Sequence, residues 1–598
     1  MRRRDFLAGS AALAAGTAAM PETAMPQAAG VPTVDRIIDV HCHVFNADDV
    51  PIEGYAKHII VPMVARSNQL MARFQDYPGA LQALVHALAK QMREGAPDGS
   101  AEIRRLDEIA VDPGRKPTAQ WRRSEDLRNL RGAFRRIWQD KETFRSLDLG
   151  QTMALEVAIE SIQLFLVQQV HSEFGRPTLS PDDRAQLQTW PYEDLAAQLY
   201  PRDDLVGRYI RWALLFTRYR FELADTLDQV HQLSGRSRVA LMTPSSVDFA
   251  KWVEDESHTS LESQVAAMAR VGRQRTGPRV HGFVGFDPLR QALYDSGRRR
   301  PQEKEPMALV RAAIEMKEGA GDAPANWAGG SIGVKLYPPM GFRATDNDEI
   351  ADARFTHPGF LRSSERGLAP QIGGKLDRAL SRLYQWCSDR NVPVVAHSAS
   401  SYGPSVEYQD RADPQFWAKV LRTHPKLRLN MAHFGHFHKA MTRPNPVEHV
   451  SQCWEWTIGE IMTNSPDGYA YADISSISEI LQPGPSRKIV DCMRAFKENF
   501  KDSADRLMYG TDWSMIAQSD HFPKLLSSQP FPDLMAKFLH VVGYTPGQIE
   551  AIMFRNATRF LGLSKAEYQT FGDNGTRGRM VKFYDFHRLP TDWMQAFD

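Results

Sequence analysis

Eight short strand-like runs recur along the chain, at 34–44, 239–243, 280–286, 331–337, 392–397, 427–433, 470–474 and 506–509, the first of them rich in β-branched residues, and helical stretches separate most of them. Strands that alternate with helices pair in parallel, because each crossover returns the chain to the same edge; eight such units predict an α/β (β/α)8 TIM-like barrel. Between the first and second runs the pattern is helical throughout. Leu155, Ile159, Ile162, Leu166 and Val170 form one amphipathic stripe, and Leu205, Tyr209, Trp212, Phe216, Tyr219 and Leu223 another. Helix-on-helix packing accounts for both stripes more simply than a cofactor box does. The expected organisation is a barrel over 30–50 and 236–565, a large all-helical insertion over 51–235, and a C-terminal extension over 566–598 that contains a strand-like run, MVKFYDF.

Composition closes off other classes. In 598 residues, Lys+Arg number 73 and Asp+Glu 72, for a formal net charge of +1. That balance excludes a generally basic nucleic-acid binder and an acidic solvating chain. Four scattered cysteines, Cys42, Cys387, Cys453 and Cys492, are too few for a disulfide framework or a thiolate zinc cluster. Residues 1–29 read as a leader: Arg3 and Arg4 precede Phe6-Leu7 and an Ala-rich run too short to span a bilayer. This is the twin-arginine pattern, and the expected location is periplasmic or secreted, with no stable membrane span.

Polar residues sit at the ends of the strands. His41 and His43 flank Cys42 at the end of the first, so both imidazoles share a face while Cys42 points to the helical layer. His397 ends the fifth strand and His433 the sixth; Asp512 follows the eighth, and Lys335 lies near the end of the fourth. Barrel active sites are built at the C-terminal ends of strands, where such residues converge. Any one of them alone would be an ordinary hydrogen-bonded residue. Asp473, on the seventh strand, reads as structural, and His436 and His438 as residues of the mouth.

Six stretches carry a resemblance: DVHCHVFN at 39–46, GVKLYPP at 333–339, PVVAHS at 393–398, DPQFWAKVLRTHPKLRLNMAHFG at 413–435, LMYGTDW at 507–513 and FRNATRFLGL at 554–563. In this order they resemble the amidohydrolase superfamily, in the branch that includes aminocarboxymuconate-semialdehyde decarboxylase and related hydrolases. The helical block is outside the resemblance. The resemblance implies that His41, His43, His397 and Asp512 hold one divalent metal, for which zinc suits the donors best. It implies Asp512 and His433 as the catalytic pair, Asp512 moving a proton and His433 orienting water or a carbonyl. In two-metal relatives a fourth-strand lysine is carboxylated and bridges the ions. Lys335 is therefore read either as a second-metal bridge or as a substrate contact.

The expected function is hydrolysis of an amide, ester or lactone in a small molecule by a metal-bound hydroxide. Non-oxidative decarboxylation of an unsaturated or aromatic acid would use the same residues, and a non-catalytic exported binding protein is the rival from another class. The insertion leaves from the catalytic face, so it either roofs the pocket or forms a homodimer interface.

Overall fold

The computed structural model describes residues 34–62, 78–118, most of 121–129, 212–232, and 236–598 apart from 275–276, 317–324, 436, 466–467, 478–479, 481–482, 519–524 and 527–529. The leader, the stripe from Leu155 to Val170, Leu205 and Tyr209 of the second stripe, and His436 lie outside the described residues.

The strands are β1 (Ile37–Cys42), β2 (Val239–Pro244), β3 (Arg279–Val280), β4 (Phe283–Gly285), β5 (Gly333–Leu336), β6 (Val394–Ala399), β7 (Leu429–Gly435), β8 (Ala470–Asp473) and β9 (Leu507–Met508). They form two all-parallel ladders, β1-β2-β3 and β4 through β9 in order. The run at 280–286, expected as one strand, is split at His281-Gly282, and a bridge between Ser245 and Phe283 carries the sheet across the break. At the break the His281 ring bonds the Gly330 carbonyl at 3.1 Å and the Tyr584 hydroxyl at 2.9 Å, while its backbone N–H still donates to Met242 O at 3.1 Å. The last strand returns to the first, where Val40 N donates to Tyr509 O at 3.2 Å and Asp512 N to His41 O at 2.8 Å. Counting the split strand once, the result is an α/β TIM barrel.

Alternation along the strands sorts their side chains. Val334, Leu336, Val394, Ala396, Leu429, Met431, Ala470 and Ala472 join the apolar layer shared with the helices, as does Cys42. Leu241, Phe283, Val395, Ala432, Tyr471 and Met508 pack in a separate core with Val40. This inner core continues into Phe560, Met580, Phe583 and Tyr584, which plug the end of the barrel opposite the strand termini that carry His397 and His433. The plug corrects one expectation. MVKFYDF is part of a helix, Thr576–Phe586, whose Met580, Phe583 and Tyr584 recur at helical spacing and are buried. Its aromatic composition resembled a strand; the buried face decided otherwise.

The described part of the second stripe, from Trp212 to Leu223, is likewise not one helix. The chain leaves helical geometry around Phe216, and a new helix, Arg220–His231, begins after Tyr219, whose backbone N–H is taken by Glu222 at 3.1 Å. This helix packs between Leu261–Gln274 and Phe531–Val542, in the place of the barrel's first crossover. Its N-terminus is capped from the helical block. Glu102, on Gly99–Val111, accepts from Arg220 N at 2.8 Å and Phe221 N at 3.0 Å. Arg220 also bonds Asp49 through Nε at 2.9 Å, so a buried cation lies between two buried carboxylates. Gly99–Val111 in turn packs on Leu261–Gln274. The described chain leaves the barrel mouth and returns to it at one point, where Ala47 N donates to Phe216 O at 2.8 Å. No helix among the described residues is long and apolar enough to cross a membrane.

Candidate metal centre

His41 and His43 reach the axis by way of an irregular strand. Strict alternation would place Asp39 on their face. The β1–β2 register shifts between Asp39 and Cys42, and Asp39 turns instead toward the helical layer, 3.5 Å from His231 Nε2. There it accepts from Thr511 N at 3.1 Å and Thr511 Oγ1 at 2.7 Å, which ties β1 to the segment that carries Asp512. Burial raises the Asp39 carboxyl to about 7. Room for the His41 ring comes from Gly510, where a Cβ would stand 3.0 Å from that of His41. His433 and Asp512 both have left-handed backbone, with φ of 70° and 50°. Ala432 faces the inner core, so an ordinary strand would turn His433 away; the reversed backbone brings it back.

The imidazoles are held by their far nitrogens. His41 Nδ1 lies 3.1 Å from Asp473 Oδ2 and 3.1 Å from Ser475 Oγ. His43 Nδ1 donates to the Ser245 carbonyl at 2.8 Å, which leaves Nε2 as the lone-pair nitrogen, 3.2 Å from Asp512 Oδ1. His433 Nδ1 meets Ser475 Oγ at 3.0 Å and stands 3.8 Å from Asp512 Oδ2. One ligand atom each from His41, His433 and Asp512 lies within 4.8 Å of the others. His43 borders this triad through Asp512. His397 borders it through His433, with ring centroids 4.4 Å apart, although His397 Nε2 is turned to the Ala399 carbonyl at 3.1 Å. Lys335 is buried with Nζ 2.9 Å from His41 Nε2. All six candidate residues thus meet at one end of the barrel, and the tightest set contains His433, which the resemblance makes a ligand only in two-metal relatives.

Asp473, read from sequence as structural, is the organiser of this cluster. Its buried carboxylate receives Asn430 Nδ2 at 2.7 Å, His433 N at 3.1 Å and Ser475 N at 3.2 Å, besides the His41 ring. Burial alone would raise this carboxyl; His41 and these donors hold it well below the usual carboxylate range. Asp512 is lowered in the same way, burial being outweighed by the hydrogen bond and charge of His43 and by the charges of His41 and Lys335. Burial, and then Lys335, lower His41. Burial also brings the Lys335 amine down to about 8, against the pull of Asp473 and Asp512. The site therefore brings two carboxylates held below their ordinary range together with a lowered imidazole at His41 and a lowered, buried lysine.

Aromatic rings border it. Phe45 lies 5.2 Å from the His43 ring and Tyr337 4.9 Å from that of His397. Tyr55, next to the departure of the helical block, packs on Phe249, which packs on Tyr337.

Residues 328–563 match the family described as amidohydrolase, a segment that holds Lys335, His397, His433, Asp473 and Asp512. Over that segment, which is less than half of the 598 residues, the chain is similar to the amidohydrolase family. Among solved structures it is similar to an uncharacterized TIM-barrel protein from Bordetella bronchiseptica, at 16% identity over 64% of this chain and 92% of that one, with a TM-score of 0.31. It is also similar to a "probable 2-pyrone-4,6-dicarboxylic acid hydrolase" from Acinetobacter baumannii, at 13% identity over 57% and 88% of the two chains, TM-score 0.29. No curated protein gives a match to the chain.

Proposed function

We propose that the chain is a metal-dependent hydrolase acting on an amide, ester or lactone of a small molecule. The observation that carries this reading is the convergence of His41, His433 and Asp512 within 4.8 Å at the mouth of the barrel. The donor set fits a divalent ion: His43 has its far nitrogen engaged by a carbonyl, His41 by a carboxylate, and imidazole with carboxylate suits zinc. His41, His43, His397 and Asp512 would hold it, with His433 near enough to join them. An ion bound there acidifies water toward a pKa of ~7 and polarises a carbonyl.

The protein's own groups supply the rest. Asp512, kept ionised, accepts the proton of the attacking water and passes it to the leaving group. His433, 3.8 Å from the same carboxylate, stabilises charge that develops on the carbonyl oxygen. Lys335 faces a substrate carboxylate or, if carboxylated, bridges a second ion. Phe45 and Tyr337 shield the reacting atoms from bulk water. A cleaved twin-arginine leader would place this chemistry in the periplasm or outside the cell.

The test is turnover of candidate esters, lactones and unsaturated acids in ¹⁸O-labelled water. Label in the product carboxylate, lost by about 10²–10⁴-fold in Asp512→Asn, supports hydrolysis. Release of CO₂ without label uptake would establish decarboxylation instead.

A further inference from the structure

Outside the strand-end cluster, His58, Glu254 and His357 bring one ligand atom each within 4.8 Å of one another. They come from three separate segments. His58 lies in the helical turn Ala56–Ile60 after β1, Glu254 follows the turn Ala250–Val253 after β2, and His357 lies in the long connection after β5. The two imidazole centroids are 4.4 Å apart at 46°, an approach that two protonated rings would oppose. Burial lowers both, His357 to about 4, and Lys57 and the neighbouring ring lower His357 further.

His357 is held for such a role. Its backbone N–H donates to Tyr408 Oη at 3.0 Å, and the Tyr408 hydroxyl donates to its carbonyl. The ring is hydrogen-bonded to the Trp252 backbone, and its Nε2 is buried without a hydrogen-bond partner among the described residues. An imidazole engaged at one nitrogen and vacant at the other is the arrangement that metal-binding histidines adopt. The segments bearing His58 and Glu254 are already fastened together: Gly54 N donates to Asp255 Oδ2 at 3.0 Å, and Arg93 pairs with the same oxygen at 2.8 Å. A Cβ at Gly54 would stand 2.5 Å from the Val253 carbonyl, so only glycine permits this approach.

We propose that His58, Glu254 and His357 form a second divalent-metal site, of the zinc type, that clamps the start of the helical block to the β2 and β5 connections. Two imidazoles and a carboxylate are a common zinc donor set. Tetrahedral ligands at ~2.1 Å lie roughly 3.4 Å apart, so the exposed Glu254 side chain closes inward on binding. The exposed side leaves a position for water. The clamp sits one helical turn from Tyr55, and so holds an aromatic wall of the mouth.

The test uses the full chain, stripped with a chelator and titrated with Zn²⁺ alone, with zinc per chain and thermal midpoint as readouts. His41→Ala/His43→Ala should still take up one zinc equivalent and gain thermal stability from it. His58→Ala/His357→Ala should lose a different equivalent, and Glu254→Gln, at an exposed position, should weaken that equivalent at least tenfold. Zinc uptake by His58→Ala/His357→Ala equal to that of the unmodified chain would overturn the proposal. If that variant does not fold, undiminished affinity in Glu254→Gln would do so. Loss of zinc confined to His41→Ala/His43→Ala leaves the strand-end reading standing and removes this one.

Discussion

Lys335 Nζ lies 2.9 Å from His41 Nε2, on the nitrogen that would face a metal. A protonated amine at that distance disfavours a second proton on the imidazole, and after burial it is the largest influence lowering His41. In metal-free protein, Lys335→Met should therefore raise the pH at which the His41 ring titrates, followed by its NMR shifts. An unchanged or lower midpoint would mean that the amine is not directed at the ring.

Asp473 carries no reacting group, yet it fixes the orientation of His41 and the backbone of His433. Asp473→Asn keeps the shape and removes the charge. Outer partners of metal-bound histidines are worth about 10–100-fold in metal affinity or activity, so that range is expected for zinc affinity measured by competition with a chelating dye. A variant with unaltered zinc affinity would show that His41 does not need the carboxylate.

The plug predicts a pH dependence of stability. Burial takes His281 from an ordinary 6.5 to about 4, so it is neutral in the folded state, while in the unfolded chain it binds a proton below 6.5. The unfolded state therefore holds more protons between these values, and stability falls as pH drops from 6.5 toward 4, by about 3 kcal/mol in total from this group. Urea midpoints at pH 7 and pH 4.5 should differ less in His281→Asn than in the unmodified chain. An equal difference would remove His281 as a source of acid sensitivity.

Arg220 is buried between Asp49 and Glu102. Taking away one partner of a buried ion pair leaves charge without compensation, typically at about 3–5 kcal/mol. Arg220→Ala should lose that much in chemical denaturation, whereas Arg218→Ala, whose partner Asp126 is only partly buried, should lose less. Comparable losses in the two would place the anchor elsewhere.

The sequence was most readable where one side of an element is apolar and the other serves the site. The runs at 239–243 and 470–474 match β2 and β8 to within a residue, because each alternates between an outer apolar layer and the axis. The six strand-end residues were legible because the barrel gathers strand termini into one place. The network around Asp473 was not. Asn430 and Tyr471 are register partners, which brings Asn430 beside Asp473, and no linear pattern encodes that register. Nor could alternation foresee the backbone reversals at His433 and Asp512 or the shift that turns Asp39 outward. The aromatic run at 580–586 misled for the opposite reason: its composition suits a sheet, and only contact with the barrel floor shows which period is used.

The bond between Ala47 N and Phe216 O has a consequence for how such a chain can vary. Among the described residues between them, Asp48, Asp49 and Glu102 add further anchors, on Thr259 and on the start of the helix at Arg220. Loop closure grows only slowly with length, by ~0.6 kcal/mol per doubling, so chain added away from these anchors costs the barrel little. Length can therefore change between the anchors, while any replacement has to keep Asp49 and Glu102 to hold the helix at Arg220 in place. Variation in what is admitted to the mouth could then proceed independently of the residues that act there.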